Sequence, residues 1–504
     1  MSDPSQPAGL VTRLTVAELA QLANGRAHTV RSDALVRPVL TADHRTVGAG
    51  EVLVILPGTP WEEALAAGVL AGGRGVGAVL LEGTEPIPGV PTVTVAHMRW
   101  ALWHTAAWVA ARHAPSGPAG AVVLGTGGRG VSTALQVCGR LHDGEDCTLH
   151  STDPDTAADL ALPMALTRVA DRGAQVALYE APGDRLSALR ASAALTRPDV
   201  LVALPLTGPL PAGATRPRIA GEILAVAREM TQDQTVVLCT DDADLRRLAG
   251  RIHGPQVMTV STTDPTATVH ATGFRRDQAY TATIAWRGHR SVAALPVRGR
   301  TVAVSALAGF AAFLAARGLT VPAIADGLDG DDYQDLLALL SLADPSGPGR
   351  MQRKSLPGCG GLLLDDTGTC SLPDMLAAAE ALPLYARPSQ ELAAIVGELD
   401  TGADENTVKA HTRAGKALAA AGVRHLAVVT GTLPTADDTG AKALLTAAAD
   451  HGVDHTELLT DTGPHLDRFA EALPAGSAVL VKGLGLGPVL PYLAAHFTAR
   501  VAKP

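Results

Sequence analysis

The 504-residue chain has no lysine before Lys354, although arginine runs throughout. Arginine does not replace lysine where a compact ammonium charge is needed, so such chemistry in the first two-thirds needs another group. Part of this desert is background, because abundant Ala, Gly, Pro and Arg point to a GC-rich coding bias that turns surface lysines into arginines. Other shortages exclude whole classes. The five cysteines are scattered and form no CxxC pair, which argues against a disulfide framework or a cysteine zinc site. No stretch of about 18 residues lacks polar breaks, so no membrane span is expected. A basic stripe is missing and the net charge is -9, which speaks against nucleic-acid binding. The polar, Pro-rich start from Met1 to Leu10 lacks the charged-then-apolar order of a signal peptide. Aromatic residues make up 3%, so the 47% hydrophobic content is chiefly Ala, Val and Leu and supplies ample core. The expectation is a cytoplasmic protein of about three domains, at roughly 100–200 residues each.

Two Pro/Gly-rich linkers divide the chain: Pro115-Ser116-Gly117-Pro118, and Asp344-Pro345-Ser346 running on to Gly349. They predict domains at 1–115, 116–345 and 346–504. In the first, Thr15 and Glu18 have the spacing of a capping box. Strands are expected at Val52–Leu56, Ala78–Leu81 and Pro91–Val95, with helices over Glu62–Ala71 and Met98–His113. In the second, apolar runs at Ala121–Leu124, Val176–Tyr179, Val200–Ala203 and Val236–Leu238 alternate with helical stretches, as in a parallel sheet covered on both faces. Gln256 to Val297 reads as an antiparallel patch. The third segment alternates again, with strands at Leu362–Leu364, Leu392–Val396, Leu426–Val429 and Ala478–Val481. The fold class is α/β throughout.

The stretch from Ala121 to Thr133 has the shape of a phosphate loop, a buried strand running into a glycine-rich turn. It can be read in two registers. One matches Gly125-Thr126-Gly127-Gly128-Arg129-Gly130 to Gly-x-x-Gly-Lys-Thr, keeping a cation at Arg129 and losing the hydroxyl at Gly130. The other matches Gly125 to Ser132 with G-x-x-x-x-G-K-S, keeping the hydroxyl of Ser132 and placing Val131 at the lysine. Neither keeps both.

A series of further landmarks, in order from Leu14 to about Ala495, resembles the Mur ligases, and within them the MurF type. Asp43-His44-Arg45-Thr46-Val47 and Gly50-Glu51-Val52-Leu53 are similar to the family's Asp-Ser-Arg-x-Val and Gly-Asp-Leu-Phe. Arg197-Pro198-Asp199-Val200, Gly208-Pro209 and Leu238-Cys239-Thr240-Asp241-Asp242 follow in the middle. Leu364-Asp365-Asp366, Gly397-Glu398-Leu399 through His411, and Val481-Lys482-Gly483 follow in the tail. The resemblance implies a small N-terminal α/β domain, a central P-loop-type parallel-sheet domain and a Rossmann-like C-terminal domain. It implies an ATP- and Mg²⁺-dependent enzyme that activates a carboxylate as an acyl phosphate for attack by an amine.

Against that pattern the polar positions are thinned. Ala220 stands at the carbamate lysine, Leu210-Pro211 near the metal-binding histidine, and Cys239 at a nucleotide-contacting asparagine. Gly299-Arg300-Thr301-Val302 replaces Gly-x-His-Asn, and Lys482-Gly483-Leu484-Gly485 replaces Lys-Gly-Ser-Arg. What the resemblance retains are Arg129, Glu180, His411 and Lys482 as candidate catalytic side chains. Gly125 to Gly130, Ser132, Asp241, Asp242 and Arg350 are the candidate nucleotide contacts, and Ser132 and Glu180 the candidate metal ligands. His104, His113, His142 and His150 have no partner at metal-ligand spacing, and Cys370 reads as a small buried hydrophobe. The first expectation is a MurF-like protein that has lost ligation and serves as a binding or partner subunit. Its partner would be an intact Mur-type ligase or another protein, its ligand a nucleotide-sugar or peptide, and it would need neither ATP nor Mg²⁺. The second is a divergent ATP- and Mg²⁺-dependent amide ligase in cell-wall or specialised metabolism. A third is ATP-independent chemistry in the same cleft.

Overall fold

The structure is a computed structural model that describes residues 11–28, 34–42, 47–56, 75–112, 121–127, 130–142, 147–150, 158–172, 175–181, 187–205, 214–276, 279–319, 329–346, 349–356, 360–401, 406–433, 438–460, 464–474 and 476–501. The expected helix Glu62–Ala71, the Asp43–Thr46 landmark, Leu210-Pro211, His113, Gly128 and Arg129 lie outside the described residues. Three large sheets fall within residues 25–95, 121–294 and 352–482.

The first sheet has five strands in the order Gly25–His28, Thr92–Val95, Ala78–Glu82, Val52–Ile55, Leu40–Thr41. Only the first of these pairs antiparallel. Ahead of it the expected capping box forms: the Thr15 hydroxyl accepts from Glu18 N–H at 3.1 Å, and the Glu18 carboxylate accepts from Thr15 N–H at 2.7 Å. Helix Met98–Arg112 covers the sheet and meets helix Ala158–Arg172 of the next segment. That second helix ties the two segments together. Thr167 Oγ1 accepts from Leu40 N–H at 3.0 Å, and Arg168 donates to Thr41 Oγ1 at 2.6 Å.

The central sheet has nine strands. From one edge they run His289–Ala294, Tyr280–Trp286, Val269–Arg276, Gln256–Ser261, Thr235–Cys239, Val200–Ala203, Ala121–Thr126, Val176–Glu180 and Cys147–His150. Ala121–Thr126 is buried along its whole length, as a strand covered on both faces must be. One expectation is corrected here. Gln256–Ser261 is no part of an antiparallel patch, since it pairs parallel with both Thr235–Cys239 and Val269–Arg276, and antiparallel pairing begins only where Tyr280–Trp286 runs back against Val269–Arg276. The crossover helix Ala243–Ala249 returns the chain to the same end of the sheet and so forces the parallel direction.

The third sheet runs Gln352–Leu356, Gly361–Asp366, Ala478–Lys482, Leu392–Gly397, Val423–Val429, His455–Leu459, with only the first strand antiparallel. Its two faces carry separate cores, one around Met375, Leu418 and Leu444, the other around Leu466, Phe469 and Leu493. The strand His455–Leu459 and the helices Pro464–Ala472 and Val489–Val501 had no clear sequence signal. The strand goes from exposed at His455 and Thr456 to buried at Leu459 and shows no clean alternation. Among the described residues no helix is long and apolar enough to cross a membrane.

Helix Leu372–Tyr385 docks this third unit on the central one by an exchange of charge and dipole. Its Glu380 carboxylate caps the start of helix Arg300–Ala316, accepting from Arg300 N–H at 2.7 Å and from the Thr301 hydroxyl at 2.6 Å. In return, Arg298 and Arg276 donate to the carbonyls of Leu384 and Ala386 at its own C-terminal end. Negative charge at a helix N-terminus and positive charge at a C-terminus are both stabilising. Glu380→Ala should cost about 1 kcal/mol through the lost cap. It should also enlarge the radius of gyration in small-angle scattering as the third unit loosens. An unchanged profile would assign the docking to the arginines alone.

Candidate functional site

Strand Ala121–Thr126 ends at Thr126, and Gly127 turns the chain at φ +135°, a conformation that side chains rarely adopt. A Cβ there would also lie 2.6 Å from the Leu204 carbonyl oxygen. Helix Gly130–Leu141 starts immediately after the turn, and Gly130 lies so close to Ser305 that a side chain would overlap its hydroxyl. Val131 is fully buried, and its side chain packs into the space that a Cβ on Gly125 would occupy. Ser132, one residue on, donates its hydroxyl to Glu180 Oε2 at 3.1 Å. From the helix start at Gly130, Val131 is directed to the core and Ser132 to Glu180.

Glu180 closes strand Val176–Glu180, whose register places it beside Gly125 at the same end of the sheet. Burial pushes its carboxyl above the ordinary range, while the Arg350 guanidinium and the Ser132 hydroxyl act in the opposite direction. Arg350 comes from the third segment, just after the second linker, and lines the same cleft as Gly130 and Thr133. Ser132 and Glu180 are thus brought together from residues far apart in sequence. Among the described residues, no three His, Cys, Asp or Glu side chains come together as metal ligands.

The aspartates are placed differently. Asp241 is the hub of a turn, accepting from Thr262 N–H at 3.0 Å, the Thr262 hydroxyl at 2.7 Å, the Thr263 hydroxyl at 2.8 Å and the Ser261 hydroxyl. Burial alone would raise its pKa, but these bonds outweigh it and hold the carboxyl below its ordinary value. Asp242 caps helix Ala243–Ala249, accepting from Asp244 N–H at 2.8 Å and Leu245 N–H at 3.1 Å, and it pairs with Arg216 at 3.5 Å. Both line the cleft with carboxylates engaged by the fold. Cys239 is fully buried, and burial pushes its thiol up to about 12.

In the third unit His411 and Lys482 are interior groups. His411 is 2% exposed; its Nε2 lies 3.0 Å from Leu399 N–H, and its Nδ1 lies 2.8 Å from the Thr407 carbonyl. An N–H must donate to Nε2, so Nε2 is unprotonated and Nδ1–H donates to Thr407. The ring is neutral with both nitrogens engaged by backbone, and it holds the Glu398–Leu399 turn onto helix Thr407–Ala420 rather than facing the cleft. Lys482 is fully buried, paired with the equally buried Asp366 at 2.9 Å, and it donates to Thr369 Oγ1 at 2.8 Å.

Burial holds the His411 pKa below 6.5. Its folded pKa is depressed, so its contribution to stability is complete above the unfolded value of about 6.5 and is lost as pH falls through the folded value. His411→Gln should lower stability at pH 8 and flatten the fall in stability between pH 8 and acid, read by urea unfolding. Parallel pH profiles for the two proteins would rule out this role.

A cavity of about 350 Å³ opens between the central and third units. Gly130 and Thr133 face it from the helix start, Arg298, Arg300 and Arg350 supply positive charge, and Leu204, Val302 and Ala377 form an apolar wall. Arg298 and Glu380 carried no motif in the sequence, because their partners are set by how two sheets dock and not by local spacing.

No protein-family model matches the chain, and no curated protein matches it. Solved structures do. MurF from Acinetobacter baumannii is 19% identical, with 96% of this chain and 99% of that chain covered and a TM-score of 0.72. The MurF ligase of Thermotoga maritima in complex with ADP is 18% identical, with 92% and 98% covered and a TM-score of 0.64. A pseudomurein peptide ligase type C from Methanothermus fervidus is 12% identical, with 88% and 94% covered and a TM-score of 0.54. At these identities the likeness concerns the fold: the chain has a MurF-like Mur-ligase fold.

Proposed function

We propose, from that fold as premise, that this protein is a Mur-ligase-like protein in which ATP-driven ligation has been lost, and that it acts as a binding or partner subunit. The observation that carries the reading is Val131. A buried valine takes the place where a P-loop puts the lysine that neutralises the β- and γ-phosphates, and losing such a cation costs orders of magnitude in phosphoryl-transfer rate. Measured against a magnesium–triphosphate complex, the donor set falls short. The Ser132 hydroxyl is spent on Glu180, and Ala220 stands at the carbamate position. Under this reading the 350 Å³ cleft serves recognition of a nucleotide-sugar, a peptide or a partner protein.

A second reading, a divergent ATP-dependent amide ligase, draws on the same cleft. Arg298, Arg300 and Arg350 line it, and the Ser132 hydroxyl and the Glu180 carboxylate are hydrogen-bonded in the central unit. Two measurements separate the readings. Calorimetry with ATP and Mg²⁺ should be silent for a lost enzyme, and phosphate release should not rise with any amino-acid and acyl-substrate pair. Micromolar, magnesium-dependent ATP binding with substrate-dependent phosphate release would decide for the ligase. Co-purification of an intact Mur-type ligase would identify the partner.

A further inference from the structure

Three arginines meet at the C-terminal end of helix Leu372–Tyr385. Arg276 closes strand Val269–Arg276 and donates to the Ala386 carbonyl, while Arg298 donates to the Leu384 carbonyl. Tyr385 is the residue between them. The Arg298 guanidinium lies 5.2 Å from its ring centre, and that of Arg353, on strand Gln352–Leu356, lies 5.9 Å from it. Arg276 and Arg298 belong to the central unit, Arg353 and the tyrosine to the third, so the cluster exists only where the two units dock. A fourth arginine, Arg300, lies over Phe274 at 5.4 Å. Arg298, Arg300 and Tyr385 all line the 350 Å³ cleft.

The fold balances these charges incompletely. Among the described residues, none of the four arginines takes part in an ion pair. Two acids stand near. Glu380 is engaged by the start of helix Arg300–Ala316, and Asp344 is exposed in the second linker, where it accepts from Ser346 N–H at 2.9 Å. The helix C-terminus offers about half a negative charge, against three full positive ones. Burial first, and then Arg353 and Arg276, hold the Arg298 pKa below its ordinary value, with Tyr385 acting the other way. Burial and Asp344 push the Tyr385 hydroxyl up, so the ring offers a π face and no charge.

A guanidinium presents its N–H donors in a planar fork that matches phosphate oxygens, and a stacked one is already oriented. Arginine cannot discharge to relieve the repulsion, so a missing anion has to come from outside the chain. We propose that the Tyr385 end of the cleft binds the phosphate of a small molecule, shared by Arg298 and Arg353, with Arg276 adding charge. The apolar wall of Leu204, Val302 and Ala377 takes the rest of the ligand. The inference rests on the reading of the cleft as a recognition site and narrows it, selecting a phosphate-bearing small molecule over a peptide or a partner protein. Because the arginines come from both units, the anion also draws the third unit onto the central one.

Calorimetric titration of inorganic pyrophosphate into the full chain, without magnesium, tests this. The wild type should bind one equivalent, and Arg353→Met should bind at least tenfold more weakly. Arg353 is exposed, and Arg353→Gln serves as the second variant should Arg353→Met not fold. Arg290→Met, which removes an exposed arginine from the edge strand His289–Ala294, should bind as the wild type does. Pyrophosphate should also raise the wild-type melting temperature more than sodium chloride of equal ionic strength. No saturable binding by the wild type would overturn the proposal. So would binding that the Arg353 variants leave intact, which places the anion elsewhere, or an equal loss in Arg290→Met, which reduces the effect to net charge. A melting shift that sodium chloride matches would reduce it to screening and overturn it as well. Each of these failures leaves the loss of ligation standing, whereas substrate-dependent phosphate release from ATP would sink the proposed function whatever pyrophosphate does.

Discussion

Replacing Lys482 with methionine is expected to destabilise the third unit by about 3–5 kcal/mol, the cost of stranding one member of a buried ion pair. Lys482 and Asp366 are both wholly inaccessible, and the ammonium also holds Thr369 through its carbonyl at 3.2 Å and its hydroxyl at 2.8 Å. Methionine fills similar volume, so the loss measures uncompensated charge rather than a cavity. The double variant Asp366→Asn, Lys482→Met removes both charges and should recover at least half of the loss, because a buried pair replaced as a whole is often close to neutral. Denaturant unfolding of the two variants beside the wild type reads the difference. A single variant as stable as the wild type would show that the pair contributes nothing. The residue is thus a structural centre of the third unit, although the sequence placed it among catalytic candidates.

The second large effect is expected at Gly309. Helix Arg300–Ala316 crosses helix Gly130–Leu141 so closely that a Cβ on Gly309 would overlap the Ala134 carbonyl oxygen and lie 2.9 Å from Val137 Cβ. Neither atom belongs to a flexible side-chain end, so a whole helix has to move. Gly309→Ala should cost about 2–3 kcal/mol by overpacking, despite alanine's better helix propensity. Because the displaced helix carries Ser132, its bond to Glu180 should weaken as well. Gly221→Ala is the matched control. It also lies inside a helix, Arg216–Glu229, but no atom stands within 4 Å of its Cβ position. It should stabilise by about 0.5–1 kcal/mol, the ordinary gain from glycine to alanine. Thermal melts of the two variants should move in opposite directions, and a common direction would defeat the packing argument.

Much of the fold was legible because its signals are local. Buried strands such as Ala121–Thr126 and Leu392–Gly397 are unbroken apolar runs, and the Thr15–Glu18 cap is a four-residue pattern. The Gln256–Ser261 strand was misplaced because six residues of mixed burial look alike whether paired parallel or antiparallel. Its direction depends on the crossover that precedes it. The site was less legible. A histidine in a helix cannot announce that both ring nitrogens are taken, as in His411, and an aspartate after a strand cannot announce that four donors surround it, as in Asp241.

By itself the sequence determined the α/β class, the strand-to-helix alternation, the glycine turn after Ala121–Thr126 and the absence of lysine before Lys354. These follow from residue type and from periods of two or 3.6, which the chain carries locally. Only the tertiary structure decided that Val131 turns inward while Ser132 meets Glu180, and that Arg350 lines the same cleft as Gly130 and Thr133. Those facts depend on which strands lie side by side and on how one sheet docks against the next through Glu380, Arg298 and Arg276. Such contacts join residues tens to hundreds of positions apart, and their energy exists only once the chain has packed.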